Sequence, residues 1–148
     1  MKAFLSSTFK DLETYRAAVI ARLQRLDGVE VRCMENFGAR AASPKEFCLC
    51  EAGECDLFIG VIGHLYGFIP DGDDESITEQ EYRTAEAAGK DMLLFVAPDT
   101  LPVPVKLLRG DSDPDKQEAF RARVLARNVV NLNWASPDVL AMGVLEAV

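Results

Sequence analysis

Three glutamates fall within one stretch, SITEQEYRTAEAAGKD, Ser76 to Asp91, and one of them lacks an evident partner. At about 100° per residue, a helix here gathers Ile77, Thr78, Glu81, Tyr82, Ala85, Ala88 and Gly89 on one arc. The opposite arc holds Glu79, Arg83, Glu86 and Lys90. Glu79 precedes Arg83 by four residues, as Glu86 precedes Lys90, and such acid-first pairs suit a solvated face. Glu81 instead sits among small and apolar residues, with Thr84 and Ala85 three and four positions on. A carboxylate buried without a partner is costly, and its pKa rises. At a helix start beside a pocket, such a group can stabilise a developing cation or attack an electrophilic carbon. It can equally be a cap. Thr78-Glu79-Gln80-Glu81 fits the capping box, and Ser76-Ile77-Thr78-Glu79 fits it in an earlier phase. Both roles stay open at this level.

The other groups with chemistry to offer lie near predicted strand ends. Ser6, Ser7 and Thr8 sit at a strand-to-helix turn, where hydroxyls and free N–H groups hold phosphate or ribose oxygens or simply cap the helix. Phe9 follows and can stack on a base or act as a hydrophobic staple. Glu35, after the second strand, is placed where an acid can bind ribose hydroxyls, and Arg40 in the same loop can meet a phosphate or a partner. Gly63 and Tyr66 lie in GHLYG after the third strand, with His64 between them as a structural or solvent-facing residue. Arg16 falls among Leu12, Val19, Ile20 and Leu23, so its guanidinium either snorkels or meets a buried acid.

Alternating strands and helices must position these residues. KAFLSS reads as a strand and STFKDLETYRAAVIARLQRL as an amphipathic helix, capped at Ser7 or Thr8, with Gly28 just past its end. VEVRCM is a second strand and ENFGARAASP a loop. A helix runs from Ser43 or Pro44 to about Gly53, with Pro44 in its first turn. DLFIGVIG is a near-continuous apolar strand, suited to burial on both faces. HLYGFIPDGDDE is a broken polar loop, followed by the glutamate helix and by DMLLFVA as a fourth strand. PDTLPVPVKLLRGDSDPD is a long connection, KQEAFRARVLAR a helix, VVNLNW a fifth strand and SPDVLAMGVLEAV a last helix. This pattern predicts an α/β fold, a doubly wound five-stranded parallel sheet of order 2-1-3-4-5 with helices on both faces. Ligands of such a sheet bind at the carboxyl ends of β1 and β3, the edge that carries most of the residues named above.

Composition narrows the function. The 148 residues suit a single domain, 1–148, and the apolar helical pattern at its end predicts the first module of a longer chain. A net charge of −8 argues against a nucleic-acid partner, which needs a basic stripe. No apolar run approaches the roughly 20 residues of a membrane helix. The four cysteines form no C-x-x-C pair and lack zinc spacing, so no metal is expected and the thiols suit a reducing, cytoplasmic setting. A phosphate-binding G-x-x-x-x-G-K-[ST] loop, a G-x-S-x-G elbow and a G-x-G-x-x-G fingerprint are absent, as is the aspartate a phospho-accepting receiver carries after its third strand.

AFLSSTFKDLETYRAAV, MENFGARAASPKEFCLCEAGECDLFIGVIGHLYG and SITEQEYRTAEAAGKDMLLFV together resemble the domain of unknown function 4062 family. That family shows an F-I-S-S-T-F-x-D-L start, a C-D-x-x-I-G-x-x-G-x-x-Y-G centre and an S-I-T-E-x-E-Y helix. The likeness covers about two thirds of the chain and implies a TIR-like Rossmannoid module at the front of a multidomain protein. A broader resemblance, to TIR NADases and nucleoside deoxyribosyltransferases, rests on E-x-x-x-A-x-x-x-G-K, met here by Glu81, Ala85, Gly89 and Lys90. It implies a catalytic role for Glu81 and N-glycosidic chemistry on NAD or a related nucleotide, as substrate rather than cofactor. Asp91 stands where a proline often follows that Gly-Lys, and the aromatic residue that precedes the glutamate in TIR enzymes is missing. Two rival expectations are a self-associating protein-interaction module, acting through the ENFGARAASP and HLYGFIPDGDDE loops, and a passive nucleotide sensor.

Overall fold

Hydrophobic alternation along β1 (Lys2–Ser6) splits the core in two. Ala3 and Leu5 face one layer of helices and Phe4 faces the other. The computed structural model describes residues 1–36, 38 and 42–148, so Arg40 lies outside the described residues. The chain continues through α1 (Glu13–Leu23), β2 (Glu30–Arg32), a 3₁₀ turn at Met34–Asn36, α2 (Pro44–Glu54) and β3 (Leu57–Ile62). Then come α3 (Ile77–Ala87), β4 (Asp91–Val96), α4 (Val105–Arg109), α5 (Pro114–Arg127), β5 (Val130–Asn131) and α6 (Pro137–Ala147). All strand pairs are parallel and the order is β2-β1-β3-β4-β5, as the sequence pattern predicts.

Every residue of β3 is buried, because helices cover both of its faces. One layer packs α1 and α6 on Leu5, Ile59, Val61, Phe95 and Trp134. The other packs α2, α3 and α5 on Phe4, Phe58, Ile62, Tyr82 and Phe120. Tyr82 and Phe120 meet edge to face with centroids 5.3 Å apart, fixing α3 against α5. Among the described residues no helix is long and apolar enough to cross a membrane.

Several local expectations are corrected. The first helix begins at Glu13 rather than at Ser7 or Thr8, and its N-cap position, Leu12, makes no side-chain cap bond. The hydroxyls that would cap it are engaged elsewhere, Thr8 with Asp11 and Ser7 with Arg16 and the Thr8 carbonyl. The long proline-containing connection is not wholly irregular, since it holds α4. The predicted α2 is met almost residue for residue. Ser43 caps it in a full capping box with Glu46, and Pro44 stands where its missing N–H costs nothing.

Candidate active site

The start of α3 settles which carboxylate is the cap. Ser76 is the N-cap, and its Oγ accepts the Glu79 N–H at 3.2 Å, so Glu81 has no capping role. Freed from the backbone, Glu81 turns into a cleft of about 700 Å³. It is 5 % exposed, deep enough that its charge is stabilised by the protein rather than by water.

Three elements converge on this carboxylate. Ser6, at the end of β1, donates its hydroxyl to Glu81 Oε2 at 2.5 Å. Cys48 of α2 hydrogen-bonds to the same side chain. Burial pushes the Glu81 carboxyl from 4.5 up to about 7, although the Ser6 and Cys48 bonds and the Arg16 charge pull it down. The Cys48 thiol is also pushed up, by its own burial first and by Glu81 next. The result is a carboxyl poised between its two protonation states near neutral pH.

Arg16 is the acid-seeking arginine of α1, and its partner is Glu35. Nε and Nη2 grip the Glu35 carboxylate at 2.6 Å each, in the bidentate geometry that suits a guanidinium, and Nη1 donates to Ser7 Oγ at 2.7 Å. Burial alone would raise the Glu35 carboxyl; the Arg16 bonds outweigh it and leave Glu35 below its ordinary value. This pair joins the turn after β2 to α1, and the Ser7 bond extends the link to the turn after β1. Glu35 therefore acts on Arg16, and it does not line the cleft.

Ser7, Thr8 and Phe9 line the cleft with Glu81, while Ser6 reaches it through its bond to that carboxylate. Gly63 and Tyr66 do not line it. The Gly63 carbonyl accepts from Gln117 and Arg121, and Tyr66 is fully buried with its hydroxyl on Glu79. His64 Nε2 lies 3.1 Å from the Pro98 carbonyl oxygen, a structural contact. Gly67, one residue beyond Tyr66, does line the cleft. It has φ +86°, and a Cβ there would stand 2.8 Å from the Thr8 methyl, so the backbone can come this close to the turn after β1 only as glycine.

Sequence reasoning missed four features of the cleft. Cys48 lines it, although nothing in its local pattern sets it apart from a core thiol. Asp11 lines it too: Oδ1 accepts from Thr8 at 2.5 Å, Oδ2 is buried without a partner, and burial raises its pKa. The segment 106–112 forms one wall. Asp111 pins it by accepting the N–H groups of Tyr66 and Gly67 at 2.8 and 3.2 Å. Finally, Phe68, 69 % exposed, stands at the cleft with Phe9. Only Asp11 had a signal in the sequence, its place in the S-S-T-F-x-D-L start. Among the described residues no cluster of His, Cys, Asp or Glu is arranged to hold a metal.

This is a doubly wound α/β fold with a buried carboxylate at the wall of a cleft. The chain belongs to the family called Domain of unknown function (DUF4062), whose profile matches residues 2–148. Among solved structures it is similar to the Clostridium botulinum CMP N-glycosidase BcmB, at 17 % identity and TM-score 0.56 over 100 % of both chains. A 2-desoxiribosyltransferase from Leishmania mexicana is similar at 20 % identity and TM-score 0.46, over 86 % of this chain and 99 % of that one. A conserved protein from Enterococcus faecalis V583 is similar at 16 % identity and TM-score 0.49, over 100 % and 99 %. A search among curated proteins returns no match.

Proposed function

We propose that the cleft breaks the N-glycosidic bond of a nucleoside or nucleotide, NAD among the possible substrates, with Glu81 facing the anomeric carbon. The observation that carries this is the buried Glu81 carboxyl, held at the cleft wall by Ser6 and raised to about 7. In its ionised form it offers a negative charge, in a site drier than water, to a carbon that becomes cationic as the C–N bond breaks. The bonding pair leaves with the base, which takes a proton from solvent when it is not already a cation. Glu81 either stabilises the ribosyl cation until water adds, or forms a C–O bond that water or an acceptor base then breaks. Ser6 holds one carboxylate oxygen in place through this cycle, so little reorganisation is needed. The fold shared with a CMP N-glycosidase supports the same reaction class, while fold alone does not fix chemistry.

The test is base release from a panel of nucleosides, nucleotides and NAD, followed by chromatography. The expected result is release by the wild-type protein that Glu81→Gln abolishes. Release unaffected by that substitution would remove Glu81 from the reaction.

A further inference from the structure

The cleft is lined by three basic side chains, and they are not equivalent. Arg16 is 2 % exposed, and its donors are committed to Glu35 and Ser7. Lys10, in the turn after β1, and Lys106, on α4, are exposed and have no ion-pair partner among the described residues. None of the cleft's acids forms an ion pair with them: Asp111 accepts backbone N–H groups, Asp11 Oδ1 accepts from Thr8, and Glu81 accepts from Ser6.

Two lysines without an ion-pair partner among the described residues thus line one cleft from separate segments, in a protein whose net charge is −8. An acidic surface repels anionic ligands, and unpaired cations at a cleft are how such a ligand is drawn in locally. The rest of the lining divides by chemistry. Ser7 and Thr8 offer hydroxyls near Glu81, while Phe9, Phe68 and Leu107 offer apolar surface for a planar base. A volume of about 700 Å³ accommodates a sugar, a base and a phosphate together.

We infer that the cleft takes a phosphorylated ligand, a nucleotide rather than a bare nucleoside, with Lys10 and Lys106 holding its phosphate. This rests on the glycosidic reading for the sugar and base, and adds the anionic group. Lysine suits the task because its ammonium meets phosphate as a point charge and keeps its hydration at the cleft mouth.

The full chain carrying Glu81→Gln, which prevents turnover, is titrated by calorimetry with AMP, GMP, CMP and UMP and with the matching nucleosides. NAD is compared with nicotinamide riboside, and inorganic phosphate is a separate arm. At least one phosphorylated member should bind about tenfold or more tighter than its partner, the scale of a charge-assisted contact. Adding Lys10→Ala and Lys106→Ala should bring it to nucleoside affinity, with the melting temperature unchanged as the check on folding. Equal or tighter nucleoside binding, a preference that survives both lysine substitutions, or no binding by any member overturns the inference. So does inorganic phosphate binding as tightly as the best nucleotide, which would make this a free-phosphate site. If the preference holds while the wild-type protein releases no base, the glycosidic reading fails and the phosphate site stands.

Discussion

Glu79 and Glu81 are two residues apart on α3, equally buried, and held in opposite ways. Glu79 points toward α5. It accepts from Arg123 at 2.7 Å, from Arg83 at 3.2 Å and from the Tyr66 hydroxyl, and Arg123 in turn lies over the rings of Tyr82 and Phe120. Burial pushes its carboxyl up, but those donors outweigh burial and leave it below the ordinary value. Glu81 points into the cleft and receives hydrogen bonds from a hydroxyl and a thiol, with the nearest guanidinium committed to Glu35. Burial wins there, and the carboxyl rises to about 7. The same residue type, equally screened from solvent contact, thus becomes a structural anion in one place and a titrating group in the other. Two things differ: Glu81 is surrounded more completely by protein, and only Glu79 is supplied with cations.

The widest break between the two should come from replacing each by glutamine. Glu81→Gln is expected to lower base release by about a thousandfold, the scale of a lost charge stabiliser, with the fold retained. Glu79→Gln should do the reverse, costing about 3 kcal/mol of stability in denaturant titration because Arg123 loses its counter-ion in a half-buried site.

The pH dependence of stability sharpens the contrast, since the two slopes have opposite signs. Glu81 binds its proton more tightly folded than unfolded, so stability falls as pH rises from 4.5 through about 7. The loss is up to about 3 kcal/mol, and Glu81→Gln should flatten that limb in melts between pH 4 and 8. Glu79 is depressed, so its contribution is present above 4.5 and disappears as pH falls below that value. Glu79→Gln should remove only this acid limb.

The smallest expected effect is at Ser6. In the proposed reaction Glu81 acts ionised, so the rate of base release should climb as pH rises through about 7. Ser6→Ala removes a hydrogen bond that favours the charged form, and should move that climb upward by roughly one pH unit. An unmoved profile would show that the hydroxyl only packs.

The glutamate helix shows how far periodicity reaches. Helical phase separated Glu81 from Glu79 and Glu86 correctly, because that separation depends only on angles along one helix. It assigned Glu79 to a solvated face, and this is wrong: the Glu79–Arg83 pair forms, but α5 covers it with Arg123. The expected Glu86–Lys90 pair gives way to bonds with Tyr82 and Arg127, because α3 ends at Ala87 and Gly89 takes φ +64°. Position after β3 puts Tyr66 at the ligand edge, yet its side chain turns back to Glu79.

By itself the sequence determined the α/β class, the strand order, the cap of α2 and the identity of the odd glutamate. Each follows from short-range spacing and from faces that must be buried. The tertiary structure alone decided the partner of Arg16, the thiol beside Glu81, and the α4 wall with its free lysine. It also decided which carboxyl rises and which falls. Those outcomes depend on contacts across 19 to 75 residues of chain, and a carboxyl's pKa is set by what packs around it rather than by its neighbours in sequence.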